Sequence, residues 1–107
     1  MAQPQGLTFN SAGIYACDLN SNRSTADEVI ANGVTINAGA FFSLLDSGAA
    51  TLTTGTVFTV IDNTAAGPIV GTFSNLADGS TVTVGSNTFQ ADYQGGHGND
   101  LILTVVP

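Results

Sequence analysis

The stretch TVTVGSNTFQADY, residues 81–93, decides the class of fold, because it alternates apolar and polar residues on both sides of a central Gly85-Ser86. Alternation with a period of two is typical of β-strands that bury one face, and a two-residue loop containing glycine is typical of a hairpin. We therefore predict an antiparallel pair over 80–84 and 87–93, with one dry face and one wet face. The dry face would carry Val82, Val84, Phe89, Ala91 and Tyr93, and the wet face Thr81, Thr83, Thr88, Gln90 and Asp92.

The same alternation recurs along the rest of the chain and predicts an all-β protein. A second tight turn is predicted at Asn32-Gly33, where both residues tolerate positive φ, so that 27–31 and 34–38 meet across it. The spacing of the predicted strands, taken alone, fits a sandwich, a barrel or a solenoid. The other predicted strands cover 7–9, 13–19, 40–46, 56–62, 69–75 and 101–106.

Two stretches tolerate a helix without requiring one. STADEVIANG (24–33) contains β-branched Val29 and Ile30, and its terminal Asn-Gly ends any helix after about two turns. AFFSLLDSGAA (40–50) has the composition of a short helical turn. We expect strands at both places, because alternation with a period of two dominates the chain.

The composition excludes several classes of partner. Charged residues make up 8% of the 107-residue chain, whereas an ordinary globular domain has about 25%. Arg23 is the only Lys or Arg beside eight Asp and Glu residues, and the net charge of −7 repels nucleic acid and anionic membranes. We therefore expect no nucleic-acid partner. Cys17 is the only cysteine, and its alternation with Tyr15 and Leu19 predicts a small buried core residue.

No segment is predicted to insert into a membrane, because none approaches the roughly 18 apolar residues of a spanning helix. Residues 1–6 contain neither the basic region nor the apolar region of a secretion signal. We assign 1–6 to a cloning start or a linker, and 7–107 to a single all-β domain.

Four segments, taken in order, resemble one family. GTVFTVIDN (55–63) and GPIVGTFSNLADGSTVTVGSNTFQADYQGGHGNDLILTVV (67–106) look like the C-terminal stretch of autotransporter-associated β-strand repeat proteins. GIYACDLN (13–20) and TADEVIANGVTINAGAFFSLL (25–45) are similar to the preceding repeat. Members of this family are bacterial exported passengers whose repeats wind into right-handed parallel β-helices. The resemblance implies a right-handed parallel β-solenoid that ends in an antiparallel hairpin, with a β-sandwich as the alternative. The solenoid would cover about 7–76 and the hairpin cap about 80–107.

The segment GGHGNDLIL, residues 95–103, also fits the calcium-repeat pattern G-G-x-G-x-D-x-U-x of parallel β-rolls. One copy supplies only part of the about six to eight oxygens that Ca²⁺ requires, so a calcium site here would depend on Asp92, Asn99 and Asp100. Glycines before an Asn-Asp pair equally suit a plain structural turn. We favour the structural turn, which the resemblance also implies, and expect no metal or other cofactor. His97 lacks the neighbours of a zinc site and is predicted to be exposed.

No catalytic residue is predicted, and we expect no enzymatic activity. The carboxylates are spread along the chain, whereas a glycosidase needs two carboxyl groups about 5–10 Å apart across a cleft. Solenoids that cleave polysaccharides also use basic residues and aromatic platforms, and this chain has one Arg, no Lys and no Trp. Asp62-Asn63 and Asp78-Gly79 are predicted turns in which the Asp accepts a backbone N–H two residues further on.

Together, the residues and the resemblance predict a structural segment that extends and caps a β-solenoid of a bacterial exported or cell-surface protein. Its location would be extracellular or on the bacterial surface. The alternative is a surface adhesion or ligand-binding module, with calcium as a stabilising ion. The expected partners are the upstream repeats of the parent chain. The isolated segment is expected to form a homo-oligomer through strands within 7–19, because open strand edges pair with other chains.

Overall fold

The computed structural model describes residues 6–96 and 98–107. Every helix or strand within these residues is a β-strand, so the all-β class is confirmed and neither helix-tolerant stretch forms a helix. The predictions for residues 1–5 and for His97 lie outside the described residues. The strands are β1 (Leu7–Phe9), β2 (Ile14–Asn20), β3 (Thr25–Ala26), β4 (Val29–Ala31), β5 (Val34–Ile36), β6 (Phe41–Asp46), β7 (Val57–Asn63), β8 (Thr81–Val84), β9 (Asn87–Gly95) and β10 (Asp100–Val106).

The strands form three sheets of mixed direction, and none of these sheets is closed. β1 pairs with β5, β2 lies between β3 and β6, and the third sheet has the order β4-β7-β10-β9-β8. The pairs β1/β5, β2/β6 and β4/β7 are parallel. The other four pairs are antiparallel.

The chain passes through the three sheets twice in the same order. β1, β2 and β4 come first, and β5, β6 and β7 then lie parallel beside them. The sequence distance between paired residues is the same in the first two sheets and longer in the third. The aligned residues are Leu7 with Val34 and Ile14 with Phe41, both 27 apart in sequence, and Val29 with Ile61, 32 apart.

A third pass starts after β7 but makes no strand. Val70 forms a single parallel bridge with Thr35. The side chain of Asn75 then bonds to both backbone groups of Phe42, since its Nδ2 donates to the carbonyl at 2.7 Å and its Oδ1 accepts the N–H at 2.8 Å. The predicted strand over 69–75 is therefore wrong, because a side-chain amide takes up the hydrogen-bonding groups that a strand would have used.

The Asn32-Gly33 turn does not join a hairpin. Gly33 has the expected positive φ of 100°. However, β4 before the turn pairs with β7, and β5 after it pairs with β1. The prediction that 27–31 and 34–38 meet is therefore wrong. A corner that carries the chain from one sheet to another uses the conformational freedom of glycine just as a hairpin does.

The predicted hairpin over 80–84 and 87–93 is confirmed, with β8 and β9 antiparallel across Gly85-Ser86. The assignment of its faces is also confirmed. On the wet face the hydroxyls of Thr83 and Thr88 are hydrogen-bonded at 2.9 Å. On the dry face Phe89, Ala91 and Tyr93 are buried, and Val82 and Val84 are half-buried.

The core between the sheets is centred on four aromatic rings. Phe73 contacts the rings of Phe9, Tyr15 and Phe42, with centroid separations of 5.1, 6.4 and 5.6 Å. Phe73 belongs to the third pass and is 1% exposed. The irregular segment after β7 therefore contributes the ring that joins the two earlier passes.

A β-bulge in β7 brings two neighbouring residues into this core. Leu101 of β10 pairs with Ile61, and Ile102 pairs with Thr59, so Val60 is an extra residue on β7. Val60 and Ile61 are both fully buried. A bulge bends and twists its strand locally, which is how consecutive side chains reach one interior.

Candidate functional site

The glycine turn between β9 and β10 closes on itself through backbone hydrogen bonds. The N–H groups of Gly98 and Asn99 both donate to the carbonyl of Gly95, at 2.9 and 3.2 Å. Gly96 has a φ of 60°, and a Cβ at this position would collide with the carboxylate of Asp100. Glycine at 96 is therefore required both by the backbone conformation and by the space that Asp100 occupies.

The two polar side chains that end this turn bind the backbone at the end of β7 and just after it. The Oδ1 atom of Asp100 accepts the N–H of Asn63 at 3.0 Å. The Nδ2 atom of Asn99 donates to the carbonyl of Ala65 at 2.7 Å. Asn99 and Asp100 therefore fasten the glycine turn to the turn that follows β7.

Asp92, the third candidate calcium ligand, has a local role. Its Oδ1 atom accepts the N–H of Gln94 at 2.8 Å, whereas Asp100 bonds to Asn63. Within 6–96 and 98–107, no three or more His, Cys, Asp or Glu side chains are grouped so as to hold a metal ion. The three candidate ligands thus have separate hydrogen-bonding partners, and the behaviour of the chain toward calcium stays a prediction.

Asn63 lies at the centre of a larger arrangement, which we call the polar corner and define as Gly33, Asn63 and Asp100. The side chain of Asn63 is 1% exposed. Its Oδ1 atom accepts the N–H groups of Gly33 at 2.9 Å and Ala65 at 3.1 Å, and its Nδ2 atom donates to the carbonyl of Gly67 at 3.1 Å. The polar corner therefore links three turns that are far apart in sequence.

At the predicted Asp62-Asn63 turn, the side chain that accepts the backbone N–H is that of Asn63 and not that of Asp62. The predicted acceptor of an N–H two residues further on was Asp62, whereas Asn63 accepts the N–H of Ala65. At the other predicted turn, Asp78 accepts the N–H of Tyr93, fifteen residues away. The burial of Asn63 had no signal in the sequence, because alternation along β7 is interrupted by the bulge.

A second polar cluster secures the long connection between β6 and β7. Asp46 Oδ1 accepts the N–H groups of Ser21 at 3.0 Å and Gly48 at 2.8 Å. The buried side chain of Asn87 accepts the N–H of Leu52 at 2.7 Å and donates to the carbonyl of Ala50 at 3.0 Å. Partial desolvation opposes ionisation of Asp46, but the hydrogen bonds from Ser21 and Gly48 outweigh it and hold the pKa below its usual range.

Two tyrosine hydroxyls are buried against backbone groups. Tyr93 donates to the carbonyl of Leu76 at 2.6 Å and accepts the N–H of Phe73 at 3.1 Å. Burial raises the pKa of Tyr93 to about 12, although the bond from Phe73 opposes the shift. Tyr15 donates to the carbonyl of Val60 at 2.8 Å, and burial raises its pKa above the usual range.

Cys17 is a fully buried core residue, as predicted. Its sulfur lies 3.7 Å from the carbonyl oxygen of Asp27. Burial raises the pKa of the Cys17 thiol to about 11. The thiolate that would act as a nucleophile is therefore disfavoured at neutral pH.

The described part of the surface includes a shallow depression and an exposed apolar face. The depression, of about 280 Å³, lies beside β1 and β5 and is lined mainly by glycines and aliphatic residues, together with Thr8 and Thr35. The apolar face belongs to the sheet β3-β2-β6, where Ile14 and Phe41 are directly paired and Leu45 follows along β6. These three side chains are 63%, 45% and 59% exposed.

Comparisons with known proteins reveal no relative, since no protein-family model, curated protein or solved structure matches the chain. Within the described residues there is no helix of the length and apolar character needed to cross a membrane.

Proposed function

We propose that this chain is a non-enzymatic structural segment that extends and ends a right-handed β-solenoid of a bacterial exported or cell-surface protein. Each passage through the three sheets is one rung, and the family with the similar sequence pattern is the autotransporter-associated repeat proteins. The observation that carries the proposal is that the N-terminal end has open strand edges, whereas the C-terminal end is covered by antiparallel strands.

The N-terminal end, which we define as the outer edges of β1, β2 and β4, offers hydrogen-bonding groups to another rung. β1 and β4 are edge strands, and β2 is paired on its outer side only by the two-residue β3. Each of these strands has its next-rung partner on the opposite side. Leu7, Phe9 and Val29 at this end are only partly buried. An upstream rung in parallel would satisfy the edges and cover these side chains.

The C-terminal end is occupied by antiparallel structure. β10 lies on β7 in the position that a third-rung strand would take, and β9 and β8 extend the sheet from there. Phe89 is buried and pairs with Phe58 at a centroid separation of 6.2 Å. A reversal of strand direction stops parallel stacking, which supports the assignment of 80–107 as a cap.

The proposal is tested by adding a rung. Residues 6–32 contain β1, β2 and β4 and have the 27-residue length of the repeat, so a second copy is inserted immediately before Gly6. The added copy should pair in parallel with the original strands. Amide hydrogen exchange at Thr8, Ala16 and Ile30 should slow, and the denaturant m-value should rise, because more surface is buried on folding.

The matched control carries proline at the positions of Cys17 and Ala31 in the added copy only. The backbone groups of these alternate residues face the next rung, as the bond from the Thr64 N–H to the Ala31 carbonyl shows, and proline cannot donate to a sheet ladder. If the intact copy slows exchange no more than the proline copy does, the N-terminal end does not accept a rung and the proposal is wrong.

The exposed apolar face of Ile14, Phe41 and Leu45 favours a second candidate, a surface adhesion or ligand-binding module in which calcium would stabilise the fold. Ile14 and Phe41 are directly paired, and exposed apolar patches mark interaction sites. Replacement of Phe41 and Leu45 by Ser should abolish attachment of coated beads to bacterial or host cells if the second candidate is correct. Under the first proposal, the replacement should leave attachment at background.

A further inference from the structure

Asn32-Gly33 is the only Asn-Gly sequence in the chain, and Asn32 lies exposed at the corner between β4 and β5. Asn-Gly is the dipeptide most open to spontaneous deamidation, because glycine has no side chain to shield its backbone nitrogen. In that reaction the deprotonated nitrogen of Gly33 attacks Cγ of Asn32 and ammonia leaves, which forms a five-membered succinimide. Addition of one water molecule then opens the ring to aspartate or isoaspartate. No oxidant or other co-reactant is needed.

The folded chain holds the attacking nitrogen in a hydrogen bond. The N–H of Gly33 donates to Oδ1 of Asn63 at 2.9 Å, and the carbonyl of Gly33 accepts the N–H of Leu7 at 2.9 Å. Asn63 is buried, and its own amide donates to Gly67, so its oxygen cannot turn away without breaking that second bond. The Gly33 nitrogen must lose the proton that Asn63 accepts before it can attack Asn32.

We propose that Asn32 is a deamidation site that Asn63 masks in the folded chain and that reacts when the polar corner opens. Native proteins open locally in cooperative units, and each opening that frees Gly33 from Asn63 exposes the site to reaction. This inference concerns the corner geometry alone and does not depend on the proposed solenoid function.

The isoaspartate product prevents the corner from closing again. Isoaspartate inserts one extra CH₂ group into the backbone between residues 32 and 33. The N–H and carbonyl of Gly33 can then no longer reach Asn63 and Leu7 together, and a carboxylate is added at the end of β4. Formation of isoaspartate therefore makes a transient opening of the β1/β5 sheet permanent.

The test is peptide mapping by mass spectrometry of the folded chain during incubation at mildly alkaline pH. Deamidation at Asn32 is compared with that at the exposed Asn10-Ser11, an internal reference. Asn63→Ala removes the acceptor and should accelerate reaction at Asn32 about five-fold, the factor that corresponds to the net worth of one hydrogen bond. Asn87→Ala is the matched control, because it removes another buried amide that bonds two backbone groups away from the polar corner, and Asn32 should then react near the wild-type rate. Equal acceleration of Asn32 and Asn10 in Asn63→Ala would overturn the masking role of Asn63.

A second measurement needs no variant. In wild-type chain at increasing urea, deamidation at Asn32 and hydrogen exchange of the Gly33 amide should rise in parallel, because both require the same opening. A deamidation rate in the folded chain equal to that in fully denaturing urea would overturn the proposal. A deamidation rate that stays constant with urea concentration, while hydrogen exchange of the Gly33 amide increases, would also overturn it.

Discussion

The carboxylate of Asp100 accepts the backbone N–H of Asn63 at 3.0 Å, across 37 residues of sequence. The glycine turn that matches the calcium-repeat pattern therefore ends in an aspartate with a structural role, because its carboxylate holds the turn against the end of β7. Asp100→Ala should lower the free energy of unfolding by about 1–3 kcal/mol, since it leaves the N–H of Asn63 without its acceptor. Asp100→Asn keeps an oxygen at the same place and should lower the free energy of unfolding by less. Urea denaturation of the two variants checks the order, and equal losses would contradict it.

Calcium should change stability little. The candidate ligands Asp92 and Asp100 already accept N–H groups of Gln94 and Asn63, and a weakly bound ion stabilises only through the ratio of its concentration to Kd. We expect millimolar Ca²⁺ to leave the melting temperature nearly unchanged. An increase of several degrees that EDTA reverses and Asp100→Ala abolishes would instead support a calcium-stabilised adhesion module.

The hairpin should depend on Phe89, whose ring is 0% exposed. Phe89→Ala should cost about 3–5 kcal/mol, the usual loss when a buried aromatic side chain is removed. Leu45→Ala is the matched control, because Leu45 is 59% exposed and truncation there should change stability by no more than about 0.5 kcal/mol. Thermal and urea unfolding measure both variants. Similar losses at the two positions would show that the buried face of β9 is assigned wrongly.

Alkaline pH should destabilise the chain through Tyr93. Its pKa is about 12 in the folded chain, above the about 10 of an unfolded tyrosine. Because the folded pKa is the higher one, the contribution of Tyr93 is fully present below about pH 10 and is lost as pH rises toward the folded value. The urea midpoint should therefore fall across this range.

Tyr93→Phe provides the comparison. This variant should be less stable at neutral pH, because the backbone groups of Phe73 and Leu76 lose their partner, and its midpoint should fall less steeply with pH. Tyr15 keeps part of the slope, since its pKa is raised in the same direction. A slope identical to that of the wild type would show that Tyr93 is not the titrating group.

The isolated chain should self-associate through the N-terminal end. Open strand edges are templates for pairing, and the chain has no lysine with which to block them. Ile30→Lys places a cation on β4, an edge strand, and should shift the population toward monomer. Thr104→Lys is the matched control on β10, because Thr104 pairs with Val57 on one side and with Gln90 on the other. Light scattering at tens of micromolar protein measures the result, and a wild-type monomer at every concentration would contradict the prediction.

The sequence by itself determined the all-β class, most of the strands, and the hairpin of β8 and β9 with its faces. These features are local, because alternation with a period of two and a two-residue glycine turn are both readable within a dozen neighbouring residues. The same locality predicted burial of Cys17, whose neighbours on β2 alternate with it.

Only the tertiary structure decided which strands pair and which polar groups are buried. Asn32-Gly33 supplies positive φ equally to a hairpin or to a corner, and the choice depends on β7 and β1, which lie elsewhere in the sequence. The bulge at Val60 shifts the register so that Asn63 points inward, where Gly33, Ala65 and Asp100 complete its hydrogen bonds. The physical reason is that a buried amide is tolerated only when distant backbone groups satisfy it, and those groups come together only in the folded chain.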